Sequence, residues 1–307
     1  MSGQGLVVIM ADWNKILKEI QDEEFQSPID TVRKKYIKNL SDLTKRNTIC
    51  YYSGFLNCSD HPDTAINDRD LNGFMTVIHE MDKSKGLDLI IHSPGGEVAA
   101  TEAIGNYLRK IFGNNIRVFV PQIAMSGGTM LSCIGSEIYM GKHSSIGPID
   151  PQYGGVPAYG VIQEFEQAKN EIISNPQSIP FWQPIIGKYP PTFIGQCYKA
   201  IELSSDVVRK WLEEGSMFEN DTEKNQKINK IMNYLNNNEH TKMHSRHIGI
   251  DKAKEIGLNI KALESDNKLQ DAVLSVHHCY MHTFQNTNAV KILENQNGVS
   301  FIMIGEK

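Results

Sequence analysis

The chain has 307 residues, 40% of them hydrophobic and 22% charged, with a formal net charge of −5. That length buries a substantial core, and that composition is too apolar for wholesale disorder. The acidic balance, with no basic stretch set against it, argues against a protein that coats nucleic acid.

Five scattered cysteines (Cys50, Cys58, Cys133, Cys197, Cys279) are odd in number and form no CxxC pair. This usage fits reduced thiols in a cytoplasmic protein better than a disulfide framework. The apolar run at residues 6–11 is closed by Asp12 and Lys15 and lacks a basic n-region. It is too short for a membrane span, so neither signal nor anchor is expected.

Residues 1–46 are expected to form an amphipathic helical N-terminal arm, with Ile16, Ile20, Val32, Tyr36 and Leu40 at helical spacing and Ser27-Pro28 dividing it. Residues 47–307 are expected to form the main domain and its helical C-terminal extension. Thr48-Ile49-Cys50-Tyr51-Tyr52 is a strand candidate, and a helix is predicted over residues 67–83 from Phe74, Val77, Ile78 and Met81. The short apolar run Leu87-Asp88-Leu89-Ile90-Ile91-His92 has the signature of a buried parallel strand. It ends in Ser93-Pro94-Gly95-Gly96 and a helix over residues 97–112. A strand at 116–120 then leads to Met125-Ser126-Gly127-Gly128 and another helix, and a strand follows at 137–140. This alternation calls for an α/β fold with a parallel sheet and right-handed crossovers. From residue 160 onward the chain reads as mostly helical, interrupted by a Pro-rich span at 176–191. Helices are predicted at 251–256 and 269–284, and Asn297-Gly298 signals a closing hairpin.

Two glycine-rich turns therefore fall at the carboxyl ends of parallel strands, the edge on which α/β proteins assemble sites. Gly95-Gly96 lets the backbone approach a substrate and aim N–H groups at it. Ser126 opens a helix with Gly127-Gly128 behind it, which leaves its hydroxyl exposed and the positive helix end toward a developing oxyanion. The Gly127 N–H is a natural oxyanion donor beside one from Gly95 or Gly96. Taken singly, each is an ordinary turn with Ser126 an N-cap; together, in consecutive βα units, they suggest a nucleophile and its oxyanion hole. Neither turn has the GxxxxGK[ST] or GxGxxG form of a phosphate loop.

The segments Ile91-His92-Ser93-Pro94-Gly95-Gly96, Ala124-Met125-Ser126-Gly127-Gly128 and Ser145-Ile146-Gly147-Pro148-Ile149-Asp150-Pro151-Gln152 resemble successive motifs of the Clp-protease/signal-peptide-peptidase-A superfamily. The last resembles its serine dehydrogenase proteinase branch. The likeness extends more loosely through residues 244–258 and Lys291-Ile292-Leu293-Glu294-Asn295. It implies a ClpP/crotonase-like fold of stacked ββα units, a serine peptidase acting on peptides or proteins, homo-oligomerisation, and no metal or organic cofactor. It also implies Ser126 as nucleophile and Gly96 and Gly127 as oxyanion donors. Clp proteases take their base from a histidine roughly 25 residues past the serine, where this chain has none. Signal-peptide-peptidase relatives use a lysine further on, and Lys169, 43 positions downstream (169 − 126), is the candidate for a Ser-Lys dyad. An amine serves as base only if burial or a neighbouring cation lowers its pKa, so Glu164, Glu166 and Glu171 would have to face away.

His244, at a position that resembles a recurrent one in the family, is the second candidate base; His143 and Asp150 are further alternatives. The pairs His244/His247 and His278/His282 have spacing compatible with metal ligation, but neither belongs to an HExxH motif. Two other readings stand beside the peptidase: a crotonase-like acyl-CoA enzyme, and a catalytically silent scaffold of the same fold.

Overall fold

A computed structural model describes residues 13–22, 27–153 and 155–305. The apolar run at 6–11 lies outside the described residues. The main sheet has seven strands: β1 (Asn47–Ser53), β2 (Leu87–His92), β3 (Ile116–Val120), β4 (Glu137–Met140), β5 (Ile260–Ala262), β6 (Ala289–Asn295) and β7 (Ser300–Ile304). Their spatial order is β5-β4-β3-β2-β1-β6-β7. The first five run parallel, with Cys50 beside Ile90 and Val118 beside Ile138, while the hairpin β6–β7 adds antiparallel to β1. The fold is the mixed α/β architecture expected of the ClpP-like class.

Twelve helices occur among the described residues: α1 (Trp13–Asp22), α2 (Pro28–Thr44), α3 (Arg69–Ile78), α4 (Val98–Phe112), α5 (Gly127–Ser132), α6 (Ala158–Ser174), α7 (Ile179–Ile186), α8 (Phe193–Glu214), α9 (Lys224–Leu235), α10 (Asn238–Thr241), α11 (Ile250–Glu255) and α12 (Asn267–Asn286). They cover both faces of the sheet, which is why β1 and β2 are buried along their whole length and read as unbroken apolar runs. Successive side chains still alternate. Ile49, Tyr51, Leu89 and Ile91 pack with Phe74 of α3, Ile104 of α4 and Trp211 of α8. Cys50, Tyr52, Ile90 and Phe119 pack with Ile37 and Leu40 of α2 and Val276 and Tyr280 of α12.

Three elements differ from the sequence expectations. The second half of the N-terminal segment, α2, packs into the domain: its Arg33 is fully buried and its Nε donates to Glu294 Oε2 of β6 at 2.5 Å. Helix α3 stops at Ile78, and the chain turns through a short 3₁₀ segment, Lys83–Lys85, that Asp82 caps. The Pro-rich span contains the helix α7. Pro180 sits in its first turn, where an N–H has no intrahelical acceptor, and only Pro184 removes an internal bond.

A second, three-stranded sheet of two-residue ladders carries the site. Ile123–Ala124 pairs parallel with Ser145–Ile146, which pairs antiparallel with Ile248–Gly249.

Candidate active site

Strand β2 delivers the first glycine turn and the Ile123–Ala124 ladder the second. The two are joined directly, because Ser93 N–H donates to Ile123 O (3.1 Å) and Met125 N–H to Ser93 O (2.9 Å). Ser126 then adopts φ 49°, ψ −114°, a left-handed conformation costly for a residue with a Cβ. The turn is held in place by the Gly128 N–H on Met125 O (2.7 Å) and by Thr129, whose hydroxyl accepts from Gly147 N–H at 2.9 Å. Ser126 occupies the N-cap position of α5, yet its side chain makes no capping hydrogen bond. The strand–strained serine–helix sequence is the arrangement that presents a nucleophile at a sheet edge. Helix α5 has only six residues, so the local N–H groups matter here more than a macrodipole.

The choice between the Gly95 and Gly96 amides is decided by their partners. Gly95 N–H donates to Ser93 Oγ at 3.1 Å. Gly96 lies between two bonds made by Ile66, whose N–H donates to Gly95 O (2.8 Å) and whose O accepts from Glu97 N–H (2.9 Å). The Gly96 N–H itself has no hydrogen-bond partner among the described residues. It lies beside the second turn: a Cβ built on Gly127 would lie 3.4 Å from Gly96 N. Gly127 is the first residue of α5, so its N–H also lacks an intrahelical acceptor. Two amides without an intramolecular acceptor thus lie close together beside Ser126. No side chain fits there, since a Cβ on Gly95 (φ 95°) would come within 2.6 Å of Ser126 Cβ.

Ser126 and Gly96 line a cavity of about 770 Å³ together with His244, Gln152, Ile66, Val98 and Leu203. His244 Nδ1 lies 2.9 Å from Asp150 Oδ1, and Gln152 Nε2 donates to Asp150 Oδ2 at 2.9 Å. Asp150 is fully buried, while the His244 side chain is 27% exposed. A carboxylate only accepts, so Nδ1 carries the proton and donates, leaving Nε2 as the basic nitrogen. The small sheet explains how residues 118 apart in sequence (244 − 126) come to line one cavity. His244 lies just before the Ile248–Gly249 ladder and Ser126 just after Ile123–Ala124, with Ser145–Ile146 between them. The Asp150 loop is clamped from two helices, by Ile149 N–H on Leu235 O (2.8 Å) and by Ser204 Oγ donating to Ile149 O (2.7 Å).

The Ser-Lys pairing finds no such geometry. Lys169 lies on α6, its side chain 64% exposed and its Nζ 3.8 Å from Glu166 Oε2, and it is not among the residues lining the cavity. It lies on the exposed face of α6, and one of the flanking glutamates faces it. His143 is exposed, its ring against Gly141, and is likewise absent from the cavity wall. His247 Nδ1 lies 2.7 Å from Ser145 Oγ, which ties the histidine loop to the small sheet. Two contributors went unassigned in sequence. Gln152 stood inside the quoted motif with no role, and Ile66, the anchor of the Gly96 turn, carries no local signal.

A strained serine beside two neighbouring amides, on a cavity also lined by His244, which is bonded to the buried Asp150, has the parts of a serine-hydrolase site on an α/β scaffold. The chain belongs to the ClpP-like SDH-type serine proteinase family, whose description matches residues 64–293, about three quarters of its length. It is similar to proteins of Methanocaldococcus jannaschii. An uncharacterized protein, MJ0137, is 40% identical over 98 residues, covering 32% of this chain and 34% of that protein. Another, MJ1495, is 38% identical over 89 residues, covering 29% and 30% respectively. A third, MJ0651, named only as a candidate protease, is 27% identical over 100 residues, 31% of this chain and 32% of that one. The matched segment spans about a third of the length of these curated relatives.

Proposed function

We propose that the protein is a serine peptidase in which Ser126, His244 and Asp150 act as a catalytic triad. Ser126 Oγ attacks the scissile carbonyl while His244 Nε2 takes its proton, and Asp150 holds the imidazole and stabilises the imidazolium that forms. The Gly96 and Gly127 amides receive the oxyanion. The proton then passes from His244 to the leaving amine, and water attacks the acyl-enzyme by the same route. The observation that carries this reading is the bond from buried Asp150 to His244, which lines the same cavity as Ser126. The family membership supports peptide-bond chemistry over acyl-CoA chemistry. A peptide or protein substrate and an assembly of several copies belong to the same proposal. No helix among the described residues is long and apolar enough to cross a membrane.

A fluorophosphonate probe tests the reading. The wild type is expected to take one phosphonyl group per chain, on Ser126, and to release new amino termini from an unstructured protein substrate. Ser126→Ala is expected to do neither while remaining folded. A folded wild type that takes no label refutes the reading.

A further inference from the structure

The buried charges of strand β6 have no part in the triad. Lys291 and Asp70 are each fully buried, and Lys291 Nζ lies 2.8 Å from both Asp70 oxygens. Such a pair is an expensive way to fasten a helix to a sheet, since desolvation offsets much of its attraction and apolar residues would do as well. Two of its remaining bonds converge on one short segment. Lys291 Nζ donates to Ala65 O at 2.7 Å, and Asp70 Oδ2 accepts from Asn67 N–H at 3.1 Å. Tyr51 supports the pair from β1, its hydroxyl donating to Asp70 Oδ2 at 2.7 Å. The residue held between these two ties is Ile66, whose N–H and O fix the peptides on either side of Gly96. The packing there leaves no slack: a Cβ on Gly96 would lie 2.3 Å from both Ile66 N and Ile66 O.

We infer that Lys291 and Asp70 are positioning residues for the oxyanion hole, setting the direction of the Gly96 N–H through the Ala65-Ile66-Asn67 segment. The inference rests on the serine peptidase reading above. The pair touches no substrate. A preorganised donor contributes only when it points at the place where charge develops, and a misplacement of about 1 Å costs up to about a hundredfold in rate. Ala65, Ile66 and Asn67 themselves line the cavity, so a shift of this segment is transmitted to the site directly.

The test is the double variant Lys291→Met/Asp70→Asn, which removes both charges while the carboxamide oxygen introduced beside Tyr51 and Asn67 can still accept from one of them. The control is Arg33→Met/Glu294→Gln, an equally buried pair that joins α2 to β6 away from the cavity. The readouts are thermal unfolding, the rate of fluorophosphonate labelling of Ser126, and kcat and KM on a cleaved peptide. The Lys291/Asp70 variant is expected to label about tenfold to a hundredfold more slowly, with the loss in kcat and KM little changed. The folded control is expected to label at the wild-type rate. Wild-type labelling by the folded Lys291/Asp70 variant, or equal slowing by the control, overturns the inference. If the double variant does not fold, Tyr51→Phe, which keeps the ion pair, decides. A two- to threefold slower labelling (roughly the loss of one weak supporting bond) upholds the inference, and an unchanged rate overturns it. A wild type that does not label refutes the peptidase reading instead, so the two failures are distinct.

Discussion

Replacing Asp150 by asparagine changes one atom and leaves the shape of the site intact, so it isolates the part the carboxylate plays. Its two oxygens serve two donors, His244 Nδ1–H and Gln152 Nε2–H, each at 2.9 Å. Asparagine has one oxygen and one NH₂, so one of those donors must face another donor. If the NH₂ faces His244, the imidazole has to accept at Nδ1 and carry its proton on Nε2, where it can no longer receive the Ser126 proton. If the NH₂ faces Gln152, that amide must turn over; His244 then keeps its tautomer but loses the anion opposite its imidazolium. The first arrangement disables the base and the second weakens it. A loss of roughly 10²- to 10⁴-fold in kcat follows, about 3 to 5.5 kcal/mol in the barrier. The replacement is isosteric and opens no cavity, so the stability cost is that of one mismatched buried donor, about 1–3 kcal/mol. The assay is the second-order rate of fluorophosphonate inactivation beside the thermal midpoint. A folded Asp150→Asn variant within threefold of wild type would refute the role given to Asp150.

Gly96→Ala drives a Cβ to 2.3 Å from the backbone of Ile66, so the turn must open and its free N–H must swing. The loss of one oxyanion donor predicts a fall of roughly 10²- to 10³-fold in kcat, with KM far less affected, in steady-state peptide hydrolysis. The fold also carries an acid-sensitive face. His92 is buried against Tyr52, Phe55 and His277, with neither ring nitrogen hydrogen-bonded among the described residues, and burial pushes its pKa from the ordinary 6.5 down to about 3. His277 is shifted downward too, by burial first and neighbouring histidines second. Below pH 6.5 the unfolded chain binds protons that the folded chain refuses, so stability is present above that pH and is lost as pH falls toward 3. Each such histidine contributes a slope of about 1.4 kcal/mol per pH unit in this window. Urea midpoints measured from pH 7 to 4.5 should fall accordingly, and His92→Phe should remove one proton from the slope; flat midpoints would contradict the assignment.

Much of the sheet was legible because its strands are buried on both faces and read as continuous apolar runs, as at Leu87-Asp88-Leu89-Ile90-Ile91. Ser126 and the glycine turns stood out as candidates because the setting proposed for a nucleophile is local: strand, tight turn, small residues, helix. The candidate base His244 did not, because tertiary structure alone brings it to Asp150 and to the cavity that Ser126 lines. The ladders that bring His244 to Asp150 are two residues long, too short to leave any periodicity. The family resemblance favoured Lys169, and only the folded positions separate it from His244. The buried charges of β6 were hidden for a related reason. Lys291 and Glu294 look like solvated residues of an edge hairpin, whereas partners from α3 and α2 bring both into the interior. The Pro-rich span misled because proline in a first helical turn breaks no bond.

The central claim is that a histidine and not a lysine activates Ser126. Fluorophosphonate inactivation rates of His244→Ala and Lys169→Ala, measured side by side at neutral pH on folded protein, test it most directly. The expected result is a loss of roughly 10³-fold or more for His244→Ala and a Lys169→Ala rate within about twofold of wild type, the usual reach of a solvated lysine. Inactivation abolished in Lys169→Ala and preserved in His244→Ala would contradict it.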